Sequence, residues 1–205
     1  MFTQHTRMST PDSHVTIMFI TTKNLGKCHP SHAFGAKITA LLEHLANDWD
    51  YNYNEVHAEI ILDRTAYSAV GLPPEPCVLT YSLDPAQLTL PCIEYVHIPL
   101  TDIQKAKDFL SAASKTQATY DVSVQDFCLP DFVLNYTDPE LDCSAPMSWT
   151  HLYCSQFALL FLRYCHAKKI IPLPEDRLRL LWSSSSHKWS PAHLKRMLDT
   201  ILIES

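Results

Sequence analysis

The stretch Tyr153-Cys154-Ser155-Gln156-Phe157-Ala158-Leu159-Leu160-Phe161-Leu162-Arg163-Tyr164-Cys165-His166 constrains the fold of this chain more than any other. Leu159 to Leu162 are four consecutive apolar residues, which no single helical face can hold. A helix that is apolar nearly all round belongs at the centre of a domain. Polar residues precede it (Ser148, Thr150, His151) and Lys168-Lys169 follows, where cations suit the C-terminal end of the helix dipole. Cys154 therefore falls in the first turn of a buried helix. There the unpaired N–H groups and the positive end of the dipole favour a thiolate, the nucleophilic form of cysteine. Most unpaired cysteines serve only as small buried residues, so a chemical role for Cys154 also needs a partnering base.

The 205 residues fit one domain with a sizeable core. A net charge of −6 without a Lys/Arg block argues against a general nucleic-acid binder. Three glycines (Gly26, Gly35, Gly71) cannot build a phosphate cradle or a dinucleotide fingerprint. No apolar run reaches the length of a membrane span, and the polar N-terminus lacks the apolar core of a signal peptide. Seven cysteines without a secretion signal predict reduced thiols in an intracellular, cytoplasmic setting.

In chain order, residues 1–13 read as a flexible tail and 14–205 as one domain. A strand is expected over His14–Thr22, apolar on both faces. A helix capped by Ser31 is expected to about Asn47, with Phe34, Ile38, Leu41, Leu42 and Leu45 on one face. Glu55–Leu62 is the second strand, Asp63-Arg64 a turn without the favoured glycine, and Ala66–Val70 the returning strand. Cys77–Tyr81 and Cys92–Ile98 are further strands. Thr101 to Gln104 has the form of a capping box with Gln104 at the third helical position, ahead of a helix burying Ile103, Ala106, Phe109, Leu110 and Ala113. Ala118–Met147 is irregular and proline-interrupted. Within it Asp121 to Met147, with Phe127, Phe132, Val133 and Leu134 as its apolar surface, is expected to form one wall or lid of a substrate cleft together with the Trp149 region. A short helix begins at Pro174. Ser190-Pro191 opens a final helix carrying Leu194, Met197, Leu198, Ile201 and Leu202.

A cysteine nucleophile needs a base, and the base needs an orienting group. His57 stands inside an otherwise apolar strand. Glu59, two residues on, points to the same side of the sheet. Cys154, His57 and Glu59 are thus the candidate site, recognised by geometry and not by chain order. The plainer alternative is that His57 and Glu59 line a solvated strand face. Metal binding competes for the same residue types: Cys28, His29 and His32 cluster, and Cys165-His166 ends the central helix. Their spacing matches no standard zinc pattern.

The order of parts resembles the circularly permuted, NlpC-type papain-like cysteine hydrolases. It comprises an early strand and helix, a strand with His57-x-Glu59-Ile60, the pair Tyr120-Asp121, Tyr153-Cys154-Ser155-Gln156 leading an apolar helix, and a closing Ser190-Pro191-x-x-Leu194 helix. That group includes YiiX-like bacterial proteins, relatives of lecithin:retinol acyltransferase, and proteins of large DNA viruses. In the permuted branch the histidine strand precedes the cysteine helix, as here. The resemblance implies an α+β fold with an antiparallel sheet packed on a central nucleophile helix. It makes Cys154 the nucleophile and His57 the base. It places the third polar residue on the strand after the histidine, where this chain offers Ser68, and Tyr67 beside it, in place of the usual carboxylate or histidine. It implies hydrolysis or acyl transfer at an amide, ester or thioester of a peptide, ubiquitin-like or lipid acyl substrate. Neither a cofactor nor a metal is implied, and peripheral membrane contact is compatible with it. Two other classes stay open: an inactive papain-like interaction module and a small Cys/His metal-binding protein.

Overall fold

The computed structural model describes residues 13–21, 55–70, 74–83, 90–120, 140–183 and 189–202. The expected N-terminal tail, the helix over 31–47 and most of the irregular 118–147 segment lie outside these residues. Five strands form an antiparallel sheet: β1 (His14–Thr21), β2 (Glu55–Leu62), β3 (Thr65–Ala69), β4 (Val78–Ser82) and β5 (Ile93–Pro99). Their order is β4-β3-β2-β1-β5. Among the described residues four α-helices accompany the sheet: α1 (Ile103–Ala113), α2 (Cys154–Ala167), α3 (Glu175–Leu178) and α4 (Pro191–Leu202). The chain is thus α+β, as expected. Among the described residues no helix is long and apolar enough to cross a membrane.

β1 lies between β2 and β5, and Val15 to Phe19 are all buried. This is why its sequence is apolar on both faces. One face carries Val15, Ile17 and Phe19 beside Ala58 and Ile60 of β2, and α2 packs there. Phe157, Leu159, Leu160 and Phe161 are fully buried, at about 1.5–3 kcal/mol of transfer free energy each. Phe109 of α1 joins this layer, with its ring centroid 5.7 Å from Phe161 and 5.9 Å from Trp149.

Local chemistry sets the element ends. Leu62 pairs with Thr65, so Asp63 (φ 49°) and Arg64 (φ 65°) form a two-residue turn with both residues left-handed. That geometry matches the strand twist, and it is adopted here without glycine. α1 is capped by Asp102, whose carboxylate accepts from the Lys105 N–H at 3.1 Å. The expected box is therefore displaced by one residue. Gln104 sits at the second helical position and bonds Asp108 instead. At the far end of α2, Ile170 N–H bonds the Cys165 carbonyl and Lys169 N–H bonds that of His166. This double closure requires a left-handed residue, and Lys169 (φ 56°) supplies it where glycine is usual.

The entry to α2 is held by a small parallel ladder of β6 (Thr119–Tyr120) and β7 (His151–Leu152). Ser155 Oγ donates to the Trp189 carbonyl at 2.5 Å. Ser190 caps α4 by accepting from the His193 N–H at 3.3 Å. The beginnings of α2 and α4 are thereby tied together.

Candidate active site

The site forms where the start of α2 meets β2. In β2, Ile20 of β1 opposes His57 but Thr21 opposes Glu55, so Val56 is an extra residue immediately before the histidine. Such a bulge bends the strand and re-aims the next side chain. Past it, alternation places His57 and Glu59 on the sheet face opposite Ala58 and Ile60. The β2–β3 register puts Ala66 opposite Ile61, so Ala66 and Ser68 share the face of Glu59. Tyr81 of β4 lies opposite Ala66 on that same face.

On this face His57 Nε2 lies 3.1 Å from Glu59 Oε1 and 2.9 Å from Ser68 Oγ. A carboxylate only accepts, so Nε2 carries the proton. Ser68 in turn donates to Glu59, and Tyr81 donates its phenol proton to Glu59 Oε2. Glu59 is 5 % exposed, and three donors from three strands converge on it. Burial opposes its charge. The His57 bond and charge, then the Tyr81 and Ser68 bonds, outweigh burial and hold the carboxyl below its usual 4.5.

Cys154, the first residue of α2, is buried and hydrogen-bonded to His57. Since Nε2 faces Glu59 and Ser68, Nδ1 is the ring nitrogen left for the thiol. The backbone N–H groups of Ala58 and Ser155 also reach Cys154. Burial raises the thiol's pKa, but the His57 charge and bond, with those two N–H groups, bring it below the ordinary 9. Burial likewise disfavours the imidazolium. The Cys154 charge and bond, then those of Glu59, overcome it and push His57 up to about 10. Each partner thus favours the charged form of the other, thiolate for Cys154 and imidazolium for His57.

The other described cysteines contrast with this one. All are buried. Burial pushes Cys77 up to about 11 and also raises Cys143 and Cys165. Cys165 faces the core. His166 next to it is engaged by Glu175 at 3.1 Å and by the Trp182 indole N–H at 2.8 Å. Cys28, His29 and His32 lie outside the described residues, as do Phe127, Phe132, Val133 and Leu134. Among the described residues no group of three or more His, Cys, Asp or Glu is arranged to hold a metal ion.

Cys154, His57, Glu59 and Ser68 thus come together. Glu59 and Ser68 are not alternatives: both contact Nε2, and the serine bridges to the carboxylate. Tyr67 points to the other face, by alternation from Ser68. Trp149 departs from expectation. It is 3 % exposed, packed on Phe109 and Phe157, with its indole N–H bonded to the Asp142 carbonyl at 2.9 Å. It is a core residue and not a cleft wall, because its ring completes the aromatic layer under α1. Tyr81 and the Ala58 N–H escaped sequence reasoning. The only signal for Tyr81 is an aromatic residue on an edge strand, and its target appears only once the sheet register is known. No family model, curated protein or solved structure matches the chain.

Proposed function

We propose that this protein is a cysteine-dependent hydrolase or acyltransferase of the permuted papain-like kind, acting on an amide, ester or thioester through Cys154 and His57. The observation that carries the proposal is the continuous chain Cys154–His57–Glu59, with Ser68 bridging the last two. The Cys154 thiolate attacks the substrate carbonyl and forms the C–S bond. The imidazolium of His57 then gives its proton to the departing amine, alcohol or thiol as the bond to it breaks. His57, now neutral, takes a proton from water or from an acceptor nucleophile. That nucleophile releases the acyl group and restores the thiolate. Glu59 and Ser68 keep the ring oriented and support its positive state, the role of the third member in such constellations. The Cys154 backbone N–H at the helix start serves the oxyanion.

The substrate class is a peptide, ubiquitin-like or lipid acyl group in an intracellular, cytoplasmic setting, and the host cell if the protein is viral. A panel of such acyl substrates, read by product release and by intact-mass detection of an acyl adduct, tests the proposal. Wild type should form an adduct on Cys154, and Cys154→Ala should form none. Turnover that survives Cys154→Ala would sink it. One observation favours a second reading, an interaction module that keeps the fold without turnover: Cys154 is 2 % exposed and the His57 side chain 14 %. Absence of any adduct across the panel, with binding retained, would favour that module.

A further inference from the structure

We infer that Tyr81 is a positioning residue of the same site: its phenol, donated to Glu59 Oε2, holds the carboxylate that orients His57. The inference rests on the catalytic reading of Cys154 and His57. Three observations carry it. Glu59 uses Oε1 for His57, so the other oxygen would lie buried without this partner; Tyr81 supplies the donor. A buried carboxylate short of a donor is costly and tends toward its neutral form. Tyr81 comes from β4, the edge strand, two strands away from His57, and the register places it diagonally from Ser68 on the same face. It is therefore set by the sheet, independently of α2. Lastly, Tyr81 is 39 % exposed. A tyrosine there has no packing need for a partner, yet its hydroxyl turns inward to the carboxylate. The groups that face the chain from each element are Cys154 of α2, His57 and Glu59 of β2, Ser68 of β3 and Tyr81 of β4.

The consequence runs along the chain. Without the phenol, the Glu59 carboxylate loses its hold at Oε2 and can turn out of line with His57 Nε2. His57 then loses part of its counter-charge, and the Cys154 thiolate loses part of its own.

The test is the pH dependence of Cys154 alkylation by iodoacetamide, followed by mass spectrometry on the full chain. In wild type the rate should rise through an apparent pKa below that of an ordinary thiol. In Tyr81→Phe, which keeps the ring, that rise should move up by about half to one pH unit, a three- to tenfold loss of rate on the acidic limb. Tyr81→Gln, whose amide can still donate, should recover part of the shift. Thermal melts should show every variant folded well above the assay temperature, with a somewhat lower midpoint for Tyr81→Phe; recovery of the pH profile in Tyr81→Gln is the readout that a merely structural role would not give. A Tyr81→Phe profile superimposing on wild type, with the wild-type pKa low, overturns the role of Tyr81 and leaves the catalytic pair standing. A wild-type profile that rises only near pH 9 removes the thiolate–imidazolium pair, and the role of Tyr81 with it.

Discussion

Replacing Glu59 by Gln keeps the side chain's shape and removes its charge and one acceptor oxygen. The carboxylate is 5 % exposed and accepts from His57, Ser68 and Tyr81. A glutamine oxygen in the Oε1 position can keep His57 and Ser68, and its amide then meets the Tyr81 hydroxyl. The flipped orientation would set an N–H against the His57 Nε2–H and is disfavoured. Hydrogen bonds to a charged group contribute about 1.5–3 kcal/mol and neutral ones about 0.5–1.5 kcal/mol. Each of the two retained bonds therefore loses about 1 kcal/mol. The Tyr81 bond, on a residue 39 % exposed, adds less. No longer burying a charge offsets part of the loss. The net expectation is about 1–2 kcal/mol at pH 7.5. With a urea m-value of about 2 kcal/mol/M, that lowers the midpoint by about 0.5–1 M. The sign of its pH dependence follows from the depressed Glu59 pKa. The carboxylate's contribution is present above its unfolded value near 4.5 and is lost as pH falls through the lower folded value. The gap between wild type and variant should thus narrow on acidification below pH 4.5. Equal midpoints at pH 7.5, or a gap that keeps its full size at pH 3, would refute the account of Glu59 as an ionised hub.

His57 should titrate near 10 by NMR of its ring, and distinctly lower in Cys154→Ala, because the thiolate is its largest raising influence; an unmoved titration would mean that the two are not an ion pair. Lys169→Gly should stabilise the protein by about 1 kcal/mol, since a left-handed residue with a Cβ is strained there; a melting temperature about 2–4 °C higher would show it. Arg163 is buried within α2 and donates to the Leu181 carbonyl at 2.6 Å and to Glu140. Arg163→Met strands that carbonyl and should cost about 1–3 kcal/mol by urea unfolding.

Sequence periodicity determined a good deal. The apolar run Leu159 to Leu162 required a central helix, and it lies at the core. β2 was legible to its ends, as was the Ser190-Pro191 start of α4, because these signals are local. The pairing of His57 with Glu59 followed from strand alternation alone. The tertiary structure decided the rest. Asp102 and not Thr101 caps α1, a choice between two adjacent capable side chains that only the path of the chain resolves. Trp149 went to the core because Phe109 and Phe157, distant from one another in sequence, meet there and pack against its ring. Ser68 and Tyr81 joined the site through the β2–β3–β4 register, which no single strand encodes. The lowered pKa of Cys154 depends most on that assembly. The helix start favours it locally, but burial works against it, and the outcome turns on a histidine delivered from another part of the chain. Side-chain alternation and helix polarity act over a few residues and can be read in order. Charge balance in a buried site sums over groups that only folding brings within bonding distance.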